Sequence, residues 1–151
     1  MDLHFSKWVL FADRQILSDM KYPGLYALAI CEANIAGRKF NVRKEIAYFG
    51  MTISKLGIRG RLKQFGDTLQ RKRDNHGGAQ RFRHDYKDSV ALLKNLYVAV
   101  CPFQCLVDSL ARKDLETLGT VAYAEFVAFA NYAEAFGRLP KYNDKKNSPK
   151  A

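Results

Sequence analysis

Apolar positions along the chain fall in short runs separated by polar stretches that carry glycine and proline. Leu25-Tyr-Ala-Leu-Ala-Ile-Cys31 is one such run, preceded by the turn signal Tyr22-Pro23-Gly24. A short run bounded in this way predicts a buried strand. Glu45-Ile-Ala-Tyr-Phe-Gly50 predicts a second strand. The polar connection Ala33 to Arg43, with Gly37 inside it, would join the two as an antiparallel hairpin with a long loop. Leu96-Tyr-Val-Ala-Val-Cys101, stopped by Pro102, predicts a third. Ile58 to Phe65 changes to helical spacing, with Ile58, Leu62 and Phe65 on one face. Two further helices are expected, over about 104–113 and about 117–136, the last one closed by Gly137 and Pro140. Phe5 to Asp13 reads as a short strand or helix packed on the domain edge. The expectation is an α/β domain of the α+β kind over residues 1–143, a small central antiparallel three-stranded sheet flanked by helices. A basic flexible tail, 144–151, would follow it.

Composition narrows the class. A chain of 151 residues, 48% of them hydrophobic, fits one domain with a core of its own. Its three cysteines are an odd number, and no leader-like segment precedes the first strand. Both point to a reducing compartment, here the cytoplasm. Cys101 and Cys105 have no matching Cys or His pair at zinc spacing. Cys31 and Cys101 lie in apolar runs and read as core. No apolar stretch approaches the ~20 residues of a membrane helix, and no basic amphipathic helix suggests a membrane surface.

Charge adds a partner. The net charge is +10 and the pI about 9.6, the balance of a domain that meets nucleic acid. Between Lys55 and Lys87 there are ten Lys or Arg against three Asp or Glu, with Phe65, Phe82 and Tyr86 interleaved. Lys55, Arg59, Lys63, Arg71, Lys72, Arg73, Arg81 and Arg83 are the expected phosphate contacts, and the polar segment Gly66 to Lys87 is expected as a functional loop.

Small motifs sit on this frame. Gly24-Leu25-Tyr26 opens the first strand and Tyr48-Phe49-Gly50 closes the second. Thr52 follows, then Arg61-Leu62 on the helix, and Leu139-Pro-Lys-Tyr-Asn143 near the end. In this order the motifs resemble the GIY-YIG nuclease family over about residues 22–143. The resemblance implies a DNA endonuclease that hydrolyses phosphodiester bonds with one divalent cation, Mg²⁺ or Mn²⁺. A tyrosine-assisted water would attack the phosphate in line.

The implied roles have physical reasons beside them. Adjacent strands can put Tyr26 and Tyr48 on one face, both hydroxyls aimed at one point. A basic, metal-bearing pocket can lower a phenol's pKa, so that it accepts a proton from water. Gly50 would let the DNA backbone or the next helix approach closely. Arg61 can hold the phosphate and stabilise its developing charge. Asn143 would support the site from its edge.

This chain departs from the family pattern in three places. Arg61 stands thirteen residues after Tyr48, further than is common in the family. The position of the family's histidine after the arginine is Phe65 here, which leaves His76 to take a phosphate contact or a proton-donor role. The place of the metal glutamate is Asn131, and Glu116, Glu125 and Glu134 are the candidates. Glu125 is preferred, because it is a carboxylate inside an apolar helical stretch, where burial demands a partner or a metal.

Two other readings stay open. One is a nucleic-acid-binding module on the same fold without hydrolysis. The other is an assembly protein that uses the aromatic helix positions Tyr123, Phe126, Phe129 and Tyr132, although that spacing more often marks core. A single domain without an appended recognition module suggests a restriction-like, stand-alone enzyme. The oligomeric state is left open, a homodimer included.

Overall fold

The computed structural model describes all 151 residues. Four strands form one antiparallel sheet: β1 (Val9–Leu10), β2 (Gly24–Ile30), β3 (Ile46–Thr52) and β4 (Leu96–Pro102). Their order is β1-β4-β2-β3, so the expected hairpin lies at one side of the sheet with β3 as its edge. The fourth strand comes from the N-terminal stretch. Val9 and Leu10 pair with Val98 and Tyr97, which makes a four-stranded sheet where three strands were expected. Two residues are too few for alternation to reveal a strand; the pairing is made by the partner.

Helices cover both faces of the sheet. On the first lie α1 (Gly57–Leu69), α2 (Gly77–Asp85), α3 (Ser89–Leu93) and a 3-10 turn over Phe11–Ile16. They bury Ile58, Leu62, Phe65 and Phe82 against Tyr26, Leu28, Val98 and Val100. The second face is covered by α4 (Arg112–Phe136), whose Val121, Ala124, Ala128 and Tyr132 pack on Leu25, Ala27, Ala29, Phe49 and Ala99. Trp8, Cys31 and Cys101 belong to this second core. β2 is central and faces a helical layer on each side, which is why it reads as a continuous apolar run rather than an alternating one.

Three expectations change here. The segment Gly66 to Lys87 is not a loop throughout, because α2 forms inside it. His76 caps that helix: its Nδ1 accepts the Ala79 N–H at 3.2 Å. The helix expected over about 104–113 is absent. The Asp114 carboxylate accepts the Leu106 N–H at 3.1 Å and holds the segment after Pro102 in a turn, so α4 starts at Arg112 and runs for 25 residues. The tail is docked. Arg81 donates to the Ser148 carbonyl, Ser148 is buried, and the Ala151 N–H bonds the Gln80 carbonyl at 3.1 Å. No helix is long and apolar enough to cross a membrane.

Candidate functional site

The site is built around the β2–β3 hairpin. Tyr26 lies directly opposite Gly50 and Leu28 directly opposite Tyr48, so both tyrosines leave the same face of the sheet on a diagonal. Their ring centroids are 6.1 Å apart. The two glycines nearby make room for them. A Cβ on Gly50 would stand 2.2 Å from the Tyr26 ring, and one on Gly78 would stand 2.7 Å from the Tyr48 ring. Gly50 therefore admits a tyrosine ring, where an approach of DNA or of a helix was expected.

The tyrosines differ in depth. Tyr26 is fully buried. Tyr48 is half-buried and lines a groove of about 500 Å³. This groove runs along the β3 edge, where α1, α2 and the tail face α4. Arg61, Arg81, Glu125, Asn143, Lys145 and Lys150 line it as well. Residues far apart in sequence thus share one wall-to-wall space. Arg61 reaches it from α1, held by a 2.7 Å bond from its guanidinium to the Gln64 side chain.

His76 stands behind the tyrosines, fully buried. Its Nε2 lies 2.8 Å from the Tyr26 hydroxyl, and its ring meets the Phe65 ring edge to face at 5.2 Å. It therefore packs directly beside Phe65 of α1. Burial, with the Arg61 charge adding to it, drives the His76 pKa down to about 3. The ring is neutral at pH 7 and fully enclosed, so it offers a phosphate neither a charge nor access. Because Nδ1 accepts from Ala79, the ring proton sits on Nε2 and is donated to Tyr26. The Tyr26 hydroxyl accepts that hydrogen bond and leaves its own hydrogen free for another acceptor.

Burial raises the pKa of both phenols. For Tyr26 the neighbouring Tyr48 adds to the rise and Arg61 opposes it; for Tyr48 Arg61 is again the main opposing charge. The lowered phenol pKa expected from a basic pocket is thus not a property of the protein alone. Desolvation outweighs the nearby guanidinium.

Of the three candidate glutamates, Glu125 is the one in the groove. Glu116 is exposed and paired with Arg112 at 2.9 Å, and Glu134 is exposed on the last turns of α4. Glu125 is half-buried on α4 and makes no side-chain hydrogen bond or ion pair. Burial pushes its carboxyl pKa up, and Lys145 works against that. No group of three or more His, Cys, Asp or Glu side chains comes together anywhere in the chain.

Asn143 closes the sheet edge. Its side-chain oxygen accepts the Phe49 N–H and its amide donates to the Phe49 carbonyl, both at 2.8 Å. The edge strand is thereby pinned between Tyr48 and Gly50. Both polar ends of Asn143 are used in this way.

The basic residues divide. Arg61 and Arg81 line the groove, and so do Lys145 and Lys150 of the tail, which sequence reasoning placed outside the domain. Lysines docked by a chain reversal leave no local signal. Arg59, Lys63 and Lys72 instead line a separate cavity of about 670 Å³ between α1 and the Phe11–Ile16 turn. Arg83 is corrected outright. It is buried, donating to the Thr68 and Ala151 carbonyls and paired with Asp74 at 3.0 Å, so it is not available to phosphate. Lys55, Arg71 and Arg73 are exposed, with Arg73 near Asp67 at 3.9 Å.

Comparison with family models, with characterised proteins and with solved structures returned no match.

Proposed function

We propose that this chain is a metal-dependent DNA endonuclease of the GIY-YIG kind. The observation that carries the reading is the convergence of Tyr48, Arg61, Glu125 and Asn143 on one groove, with Tyr26 and His76 directly behind. Tyr26, Tyr48, Arg61 and Asn143 are the motif residues, Glu125 is the carboxylate of the apolar helical stretch, and His76 takes the space beside Phe65. Chance packing of a basic domain gives no reason for them to meet.

The donor set suits a hard divalent cation. A half-buried carboxylate without a protein partner is stabilised by such an ion, and a lone carboxylate leaves its other positions to water and phosphate oxygens, as Mg²⁺ prefers. Glu125 would hold Mg²⁺ or Mn²⁺, and when bound that ion supplies positive charge against the phosphate. Zinc, which takes three or four protein ligands, does not fit a lone carboxylate.

The protein's own side chains divide the remaining work. Tyr48, the tyrosine that lines the groove, accepts a hydrogen bond from the attacking water and orients it. Tyr26 and His76 are positioning residues: the 2.8 Å bond between them fixes the Tyr26 ring, which packs beside the Tyr48 ring with centroids 6.1 Å apart. Arg61 holds the non-bridging phosphate oxygens and meets the charge that develops on them. Attack forms one P–O bond and breaks the bridging one, leaving a phosphate monoester on one fragment and a hydroxyl on the other. Arg81, Lys145 and Lys150 hold the strand through its phosphates.

The test is cleavage, in Mg²⁺ with an EDTA control, of supercoiled plasmid and of a duplex that carries a single-stranded flap. Wild-type protein should cut, and Glu125→Ala should lose roughly a thousandfold in rate. That variant should still bind DNA. Full activity in it would remove the metal assignment, and failure of wild-type protein to cut either substrate would leave a binding module on this fold.

A further inference from the structure

Phe126 follows Glu125 on α4, lines the same groove and is 69% exposed. Phe129 meets it edge to face with centroids 5.9 Å apart, so at least one face of the Phe126 ring is open. Tyr123, three residues back on the helix, is 60% exposed. Packing does not call for either ring. The stripe of α4 that lies on the sheet is Val121, Ala124, Ala128 and Tyr132.

The surroundings state what such a ring can take. Arg61, Arg81, Lys145 and Lys150 share the groove, so the ring stands among cations. Cations for a backbone and open aromatic faces for bases are the composition of a single-strand binding surface. Paired bases stack on one another and offer no face to a protein; a base reaches an aromatic side chain when its nucleotide is unpaired or turned out of the helix. A second protein chain fits less well, because charged residues are depleted at the centre of protein interfaces and the groove beside Phe126 is full of them.

We propose that Phe126 is a stacking platform for an unpaired base beside the scissile phosphate, so that this site acts on DNA at flaps, overhangs or gaps rather than on continuous duplex. The reaction rests on the nuclease reading, while the stacking is measurable by binding alone.

Fluorescence anisotropy with a labelled single strand and a blunt duplex of the same sequence tests it, with Ca²⁺ in place of Mg²⁺ to hold off cleavage. Phe126→Ala should weaken single-strand binding about tenfold and leave the duplex nearly unchanged. Phe126→Trp should restore the loss. In Mg²⁺ a flapped substrate should be cut in preference to the blunt duplex. Wild-type affinity of Phe126→Ala for the single strand would overturn the proposal, as would sedimentation in which that variant turns a dimer into a monomer without any loss of strand binding. If nothing is cut but Phe126→Ala still loses single-strand affinity, the stacking stands and the nuclease reading falls. If both substrates are cut alike and Phe126→Ala binds as wild type, the reverse holds.

Discussion

The two sides of α1 carry nearly the same chemistry in sequence and opposite surroundings in the fold. Arg61 faces the groove at the β3 edge, while Arg59 and Lys63, two residues to either side and about half a helical turn away, face the cavity against the Phe11–Ile16 turn. That cavity is the larger of the two, about 670 Å³ against about 500 Å³. Its charges already have company. Lys63 pairs with Asp67 at 2.6 Å, and the Arg14 guanidinium lies over the Phe11 ring at 4.4 Å. The groove instead holds an unpaired carboxylate beside a phenol, with the hydrogen-bonded Tyr26–His76 pair packed behind it. Volume and positive charge therefore do not mark the better candidate. Unpaired polar groups in fixed positions do, because the fold leaves them for something else to satisfy.

Substitutions on the groove side should give the largest effects. Tyr48→Phe should lower the cleavage rate by about 10²–10⁴, and Arg61→Ala by about 10²–10³, measured as initial rates at saturating Mg²⁺. Tyr26→Phe should cost less than Tyr48→Phe, since Tyr26 acts through its neighbour. A larger loss at Tyr26 would exchange the roles of the two tyrosines.

His76 gives a pH signature that has no counterpart on the other side. Its pKa is about 3 in the fold against 6.5 for an unperturbed histidine. Below about 6.5 the unfolded chain takes up a proton that the folded chain refuses until about pH 3. The stability of the neutral form is full above that window and is lost as pH falls through it. Between pH 7 and pH 4.5 the melting temperature of wild type should fall further than that of His76→Gln. Equal falls would show that His76 does not contribute.

Asn143→Ala tests the edge of the groove. It removes two 2.8 Å bonds to Phe49, and should cost about 1–3 kcal/mol in chemical denaturation. Unchanged stability combined with lost cleavage would mean that Asn143 touches substrate instead.

The smallest effect is expected across the helix. Arg59→Ala with Lys63→Ala should leave the cleavage rate and the salt dependence of DNA binding close to wild type, whereas Arg81→Ala should lower the salt slope by about one. A slope reduced by about two in the double variant would put the DNA on the wrong side of α1 for this reading.

Much of the fold was legible from the chain, and the reasons are local. β2 and β4 are short apolar runs between turn signals, and the α1 face repeats at helical spacing, so each carries its own evidence. The stretch Phe5 to Asp13, read as a short strand or helix, holds both β1 and the start of the 3-10 turn; its place in the central sheet was not legible, because its two strand residues pair only through β4. The helix expected over about 104–113 failed because the Asp114 side chain competes for a backbone N–H there, which no periodicity records. Cysteines behaved as read, all three being free and buried.

For the candidate site, sequence by itself determined the residue types and their order: two tyrosines at fixed distances from two glycines, an arginine on the following helix, a glutamate in an apolar stretch, and an asparagine after Pro140. Those are properties of strand alternation and helical spacing, which short-range geometry sets. Only the tertiary structure decided which of these residues meet water. It buried Tyr26 and left Tyr48 on the groove, and it enclosed His76 as a neutral partner of Tyr26 rather than a phosphate contact. It also turned Arg83 inward and brought Lys145 and Lys150 to the site. The physical reason is desolvation. Whether a polar group is free, paired or pushed to its neutral form depends on what packs around it, and those neighbours come from distant parts of the chain.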